Sequence, residues 1–188
     1  RSVQKAFEKI GCNAIVSNDT ETILKANKLV LPGVGAFKDG MKHLADLNLI
    51  SILNQKVLEE RTPILGICLG MQLFSKKSYE YGETQGLGWI NAEVVKFEFN
   101  TQNLKIPHVG WNEVHQKNEN ILFTNIKDKH DFYFVHSFYF KPNEDVLIGT
   151  TEYGFEFTSV VNKDNIFATQ FHPEKSQSAG LQLLKNFM

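Results

Sequence analysis

Pro63-Ile64-Leu65-Gly66-Ile67-Cys68-Leu69-Gly70-Met71-Gln72 is the stretch from which the rest of the chain is best read. Pro63 opens a short apolar run, Ile64 to Ile67, with the length and composition of a buried strand. From about Leu69 to Ser78 the pattern turns helical. A strand running straight into a helix, with Gly-x-Cys-x-Gly at the junction, is the thiol version of a nucleophile elbow. The glycines leave room for a sharp turn and let neighbouring backbone pack closely. Such a turn holds its nucleophile at the C-terminal edge of the sheet, where open α/β folds bind ligands. The helix N-terminus favours negative charge, and so thiolate over thiol. The N–H of Leu69 can point toward an oxygen that becomes an oxyanion. A buried structural cysteine in a glycine-rich turn fits these residues about equally well, because free cysteine is among the most buried residue types. Cys12 has no such context and reads as packing.

Upstream of the elbow, strand and helix alternate. Residues 1–10 read as a helix, with Val3, Ala6, Phe7 and Ile10 on one face and Gly11 as its stop. Residues 12–16 and 28–31 read as short strands. Ala36 to Leu47 carries Phe37, Met41 and Leu44 on one helical face, and Ile50, Leu53, Val57 and Leu58 form another stripe. This alternation predicts a parallel sheet with helices on both faces. Downstream, residues 87–97, 111–116, 131–140, 145–152, 155–161 and 165–171 all read as strands with few helical patterns between them. They predict an antiparallel extension of the sheet. A helix at 177–188 closes the chain. The expected architecture is therefore one α/β domain over 1–188, with a mixed, mainly parallel central sheet, flanking helices and an antiparallel extension. Domains of this class usually open on a strand, so the first strand is expected to be lacking here; a natural helical start is the other reading.

The bulk composition narrows the function. The chain has 188 residues, 42% hydrophobic and 22% charged, with a formal charge of -1. That is enough for one domain with a sizeable core. There is no basic excess to suggest nucleic acid and no polybasic membrane patch. No apolar run is long enough for a transmembrane helix, and no secretory signal opens the chain. Two cysteines make a poor disulfide framework, which points to a reduced, cytoplasmic setting. No Cys/His cluster has metal-ligand spacing, so neither a metal nor a cofactor is expected.

Two further motifs bear on Cys68. Gln170-Phe171-His172-Pro173-Glu174 follows a strand, with His172 and Glu174 two apart and Pro173 stiffening the link. In an extended chain they project to the same side. A base held by a carboxylate is what a nucleophile needs, although a solvated loop with an incidental pair fits this motif when taken alone. Leu31-Pro32-Gly33-Val34-Gly35 also follows a strand. Its glycines permit unusual backbone angles and close ligand approach, and a plain strand-to-helix turn explains it equally.

Taken together, Pro-Gly-Val-Gly-Ala-Phe at 32–37, Gly-Ile-Cys-Leu-Gly-Met-Gln at 66–72 and Gln-Phe-His-Pro-Glu-Lys-Ser at 170–176 resemble the triad, or class I, glutamine amidotransferases, across nearly the whole chain. The flavodoxin-like fold of that family agrees with the alternation above. Ile-Pro-His-Val-Gly-Trp-Asn at 106–112 and Phe-Tyr-Phe-Val-His-Ser at 132–137 resemble, more narrowly, the glutaminase subunits of imidazole glycerol phosphate synthase, of the histidine pathway. The resemblance implies a Cys68–His172–Glu174 triad acting on glutamine, and an oxyanion hole from Val34, Gly35 and Leu69. It implies substrate contacts from Gln72, Glu80, Ser137 and Phe138, with His136 near the pocket. Phe138 stands where the family often has Tyr, so a side-chain hydroxyl is not expected there. Trp111, Asn112 and Lys175 match positions facing a partner, a synthase/cyclase β/α-barrel subunit that forms a heterodimer and receives the ammonia. The family's opening strand and Tyr-Gly-x-Gly-Asn-like loop have no counterpart before Arg1.

Three other readings fit parts of the sequence. A paralogue could supply ammonia for an amidino group on a bacterial surface sugar, which Leu87-Gly88-Trp89-Ile90 slightly favours. A γ-glutamyl hydrolase or peptidase of the same fold would keep the elbow. A non-catalytic binding subunit would keep the fold without the chemistry.

Overall fold

In the computed structural model, which describes residues 1–99 and 104–188, the run Ile64–Cys68 is a strand buried along its whole length. Around it the chain is ordered α1 (Ser2–Lys9), α2 (Thr20–Leu24), β1 (Leu29–Gly33), α3 (Phe37–Asp46), α4 (Leu49–Asn54), β2 (Ile64–Cys68), α5 (Leu69–Leu73), β3 (Lys77–Ser78), β4 (Thr84–Gln85), β5 (Ala92–Lys96), β6 (His108–Gln116), β7 (His130–His136), β8 (Phe138–Pro142), β9 (Leu147–Glu152), β10 (Glu156–Lys163), β11 (Ile166–Thr169) and α6 (Gln177–Phe187). The main path of the sheet is β1-β2-β11-β10-β8-β5-β3-β4, and β9, β6 and β7 continue from β10. Parallel pairing joins β1 to β2, β2 to β11 and β3 to β5. The strands between β11 and β5, and the β9-β6-β7 branch, pair antiparallel. The alternating first half supplies β1 and β2 of the parallel core, but its third strand, β11, comes from the second half, where an antiparallel strand was expected; the other strands of that half build the antiparallel extension.

A core lies on each face. Ile64 packs with Val57, Phe37, Met71, Phe74 and Trp89, while Leu65 and Ile67 pack with Phe132, Phe134, Phe157, Phe171 and Leu183. This is the period-two alternation of a strand buried on both sides. Cys68 breaks it. By parity it belongs with Ile64, yet it joins the cluster of Leu65 and Ile67. Its backbone, at φ 54° and ψ -109°, has left the strand conformation.

Local departures from the sequence reading have simple causes. Residues 12–16 form no strand: no described strand lies beside them to complete a ladder, and Ile15 and Val16 are 70% and 73% exposed. Helix α5 ends at Leu73 rather than Ser78, because the loop at 86–90 turns back onto its carbonyls: Leu87 N donates to Leu73 O and Ile90 N to Phe74 O. That same turn delays the next strand to Ala92. The run 131–140 is split at Ser137 into β7 and β8. After α4 a π-turn spans Gln55–Glu59, and the buried stripe is Leu49, Ile52, Leu53, Lys56 and Val57, which leaves Leu58 exposed. Lys56 tolerates burial because its Nζ donates to Leu24 O and pairs with Glu60.

Candidate active site

Parallel register assembles the site. Gly33 of β1 pairs with Cys68 of β2, and Thr169 of β11 pairs with Ile67. All three strands therefore end at one level, and the residues that leave them emerge side by side: Val34-Gly35, Leu69 and Gln170-Phe171-His172. This is the carboxyl-end crevice where open α/β sheets hold ligands.

The two elbow glycines act by absence of volume. A Cβ on Gly70 would lie 1.7 Å from the Leu31 carbonyl oxygen, and one on Gly66 would lie 2.6 Å from the Phe74 ring. The helix can therefore start hard against β1 and β2. The sharp turn itself falls on Cys68, a non-glycine residue at positive φ. Such backbone costs of order 1–3 kcal/mol and persists only where its surroundings enforce it.

His172 leaves β11 with its N–H donating to Tyr133 O at 2.9 Å. Its carbonyl accepts from Ser176 Oγ at 2.6 Å, and Gly180 lets α6 close on Pro173, where a Cβ would meet the Pro173 carbonyl oxygen at 1.9 Å. The arm is thus clamped from both sides. Nδ1 of His172 faces Glu174 Oε1 at 2.9 Å, with the two side chains only 3% and 5% exposed. A carboxylate only accepts, so Nδ1 carries the proton and Nε2 is the ring's other face. Among the described residues Nε2 is buried without a hydrogen-bond partner. Burial opposes the cationic ring, but Cys68 and Glu174 outweigh it and hold the His172 pKa up at about 9.

The other expected site residues fall as follows. Val34 is 78% exposed, and Gly35 takes φ +97°. Glu80 Oε2 accepts from the backbone N–H of Phe37 at 2.7 Å, at the start of α3 just beyond that loop. Gln72 is buried behind the elbow and donates from Nε2 to Phe138 O at 3.0 Å and to Gln170 Oε1 at 3.1 Å. Ser137 and Phe138 lie at the β7–β8 break, beside Val135, whose carbonyl stands 3.9 Å from Cys68 Sγ. His136 is buried, with Nδ1 at 2.8 Å from Phe138 O. An open cleft of about 660 Å³ begins at Phe138 and runs between Tyr79, Tyr139 and Phe155; Cys68 and His172 do not line it.

Trp111 is 47% exposed and crosses Tyr133 edge to face at 6.0 Å; Lys175 Nζ sits 5.5 Å above the same Tyr133 ring. These residues border the His172 arm. Asn112 is half-buried and turned inward, donating to Glu152 O at 2.9 Å. Trp89, by contrast, is 4% exposed, donates from Nε1 to Asn54 Oδ1 and lies tilted against Phe74, with ring centroids 4.8 Å apart. It is a core residue and gives the surface-sugar reading no support.

The sequence reading gave Gln170 no role beyond its motif. Its Nε2 lies 3.8 Å from Cys68 Sγ. The signal was available in the motif itself: Gln170 directly follows β11 and stands two residues before His172.

Comparisons with known proteins bear on the family and the fold. The sequence model of the glutamine amidotransferase class-I family matches residues 1–188. Imidazole glycerol phosphate synthase subunit HisH 1 of Campylobacter jejuni strain 81-176 is 53% identical over 186 residues, covering 99% of this chain and 92% of that protein. Subunit HisH 2 of Methanococcus maripaludis is 51% identical over 189 residues, covering 100% and 92%. A crystal structure of a glutamine amidotransferase superposes with a TM-score of 0.75 at 19% identity, over 100% of this chain and 90% of that one, a likeness of fold. The chain belongs to the class I glutamine amidotransferases.

Proposed function

We propose that this chain is the glutaminase subunit of an imidazole glycerol phosphate synthase, with Cys68, His172 and Glu174 as its triad. Cys68 thiolate attacks the side-chain amide carbon of glutamine. The S–C bond forms and the carbonyl oxygen becomes an oxyanion, held by backbone N–H groups of Leu69 and the Val34–Gly35 loop, each worth about 2.7–4 kcal/mol. The imidazolium of His172 gives its Nε2 proton to the nitrogen, the C–N bond breaks and ammonia leaves. Water then loses a proton to His172 and attacks the thioester, releasing glutamate and restoring the thiolate. Glu174 keeps the ring in the tautomer this cycle needs. The observation that carries the reading is the buried His172, bonded at 2.9 Å to Glu174 through Nδ1, with its Nε2 left without a hydrogen-bond partner among the described residues; Cys68 and Glu174 together raise its pKa.

Ammonium is no nucleophile, so ammonia has to reach its acceptor without equilibrating with water. In this reading the acceptor site lies in a synthase/cyclase β/α-barrel subunit that forms a heterodimer with this chain in the cytoplasm. The exposed Trp111, with Tyr133 and Lys175 beside the His172 arm, supports docking there, because exposed Trp is enriched at binding hot spots. In this reading Glu80, whose carboxylate accepts from Phe37 N–H beside the Val34–Gly35 loop, and the backbone of Ser137 contact the glutamine. The test is glutamate release from glutamine, measured with and without the histidine-pathway cyclase subunit and its nucleotide substrate. Wild-type turnover coupled to the cyclase product, and none from Cys68→Ala, is expected. Turnover by Cys68→Ala would sink the triad, and hydrolysis of γ-glutamyl peptides with no cyclase coupling would move the chain to the hydrolase reading.

A further inference from the structure

One carbonyl sets the direction of every hydrogen bond behind the nucleophile. The Phe138 oxygen can only accept. It takes one bond from His136 Nδ1 at 2.8 Å and one from Gln72 Nε2 at 3.0 Å. Gln72 Nε2 also faces Gln170 at 3.1 Å, so the Gln170 atom there is the amide oxygen. The amide nitrogen of Gln170 is thereby turned toward Cys68 Sγ, 3.8 Å away. On the other arm, burial keeps both histidines neutral, so His136 Nε2 is an acceptor. It takes the Nδ1–H of His108 at 3.0 Å, and His108 Nε2 takes the amide of Asn112 at 3.2 Å. The Phe138 carbonyl is anchored from both sides, and Gln170 has no freedom to turn its amide over.

Among the described residues, two polar groups face the sulfur besides His172. The Val135 carbonyl, 3.9 Å away, can serve only a thiol, which donates; the Gln170 N–H is the one that can serve a thiolate. Gln170 is fully buried and its backbone N–H is tied to Ser159 O at 2.8 Å, so its side chain starts from a fixed point.

We propose that Gln170 is a catalytic residue whose amide N–H is aimed at Cys68 Sγ to hold the thiolate, with Gln72 as the positioning residue that fixes the aim. The proposal rests on Cys68 being the nucleophile of the reading above. Its first readout, the reactivity of the Cys68 sulfur, needs no glutamine turnover, so the two can fail separately.

The probe is iodoacetamide, whose reaction with Cys68 in the purified protein is followed against pH. The titratable groups beside the sulfur are His172, with its Glu174 partner, and the neutral His136, and all three remain in the variants. Gln170→Met keeps the volume and removes the donor. Loss of a hydrogen bond to a charged group predicts a rise of about one unit in the pH of half-maximal alkylation, and a roughly tenfold fall in rate at neutral pH. In glutamine hydrolysis the fall is expected in kcat, with KM within about twofold. Gln72→Met is expected to move both readouts the same way by about threefold, since Gln170 remains but is free to turn. A wild-type alkylation profile in Gln170→Met overturns the proposal, as does a loss in Gln72→Met that falls on KM alone, which would make Gln72 a substrate contact. If Gln170→Met shows no cooperative melting transition, Gln72→Met carries the test, and its wild-type profile is likewise fatal.

Discussion

Lowering the pH from 8 to 5 should destabilise the fold through the buried histidine pair, and His136→Asn should remove about half of that loss. Among the described residues neither ring has a carboxylate partner. His136 sits 5.1 Å from the Phe97 ring and 5.3 Å from Phe157; His108 is stacked 4.0 Å from Tyr153 and 4.8 Å from Phe134. Burial pushes the His136 pKa down to about 3 and that of His108 down to about 4, from 6.5. The unfolded chain therefore takes up these protons first. Stability is intact above the unfolded pKa and falls as the pH drops below it toward the folded values. At pH 5, about 1.5 units below the unfolded pKa, each ring costs about 2 kcal/mol, or about 4 for the pair. His172 acts in the opposite sense. Its folded pKa of about 9 lies above the unfolded value, so its contribution is full below pH 6.5 and lost as the pH rises through 9. Between pH 8 and 5 it returns about 2 kcal/mol, leaving a net loss of about 2 from the three rings. Asn at 136 keeps an N–H for the Phe138 carbonyl and does not titrate. Urea unfolding of both proteins at pH 8 and 5 is the assay. The stability difference between variant and wild type should move in the variant's favour by about 2 kcal/mol on acidification, near 1 M in midpoint for an m-value of about 2 kcal/mol/M. Parallel pH dependence of the two proteins would refute the reasoning that burial holds His136 neutral.

Three further outcomes follow from the elbow and its arm. Gly70→Ala puts a Cβ 1.7 Å from the Leu31 carbonyl oxygen, so it should cost about 3 kcal/mol in urea unfolding and abolish glutaminase activity with Cys68 untouched; a wild-type midpoint would mean α5 can slide. Cys68→Gly and Cys68→Ala are both expected to be inactive, but the glycine variant should be more stable by about 1–2 kcal/mol, because only glycine relieves φ 54°; equal stabilities would argue against strain at this residue. Glu174→Gln removes a partner that raises the His172 pKa, so an NMR titration of that ring should shift down and kcat should fall about a hundredfold. An unmoved titration would assign the raised value to Cys68 alone.

What was legible in the sequence was local, and what was hidden depended on neighbours. Helix α1, strand β2, the elbow and the last helix each follow from side chains a few residues apart, as does the His172–Glu174 pair. Residues 12–16 were misread because a strand needs a partner and propensity does not supply one. Ser78 was misread because α5 is stopped by the backbone of the 86–90 loop, which no helix signal encodes. Gln170 was passed over for a related reason: its importance lies in a sulfur 102 positions away in sequence. The feature that joins these distant parts is only half implicit in the alternation of the first half: it predicts β1 parallel to β2, but not β11, which the sequence grouped with the antiparallel extension. Alternation predicts parallel strands, and parallel strands present the same end to the same edge. Once β1, β2 and β11 are parallel neighbours with Gly33 opposite Cys68 and Thr169 opposite Ile67, the three motifs that follow them have no other place to emerge. Had β11 run antiparallel to β2, as β10 does to β11, the residues beside Cys68 would be those entering the strand and His172 would leave from the far edge. The proposed triad therefore depends on strand direction before it depends on any side chain, and the glycines at 66 and 70 matter because they let the helix begin where those three strand ends converge.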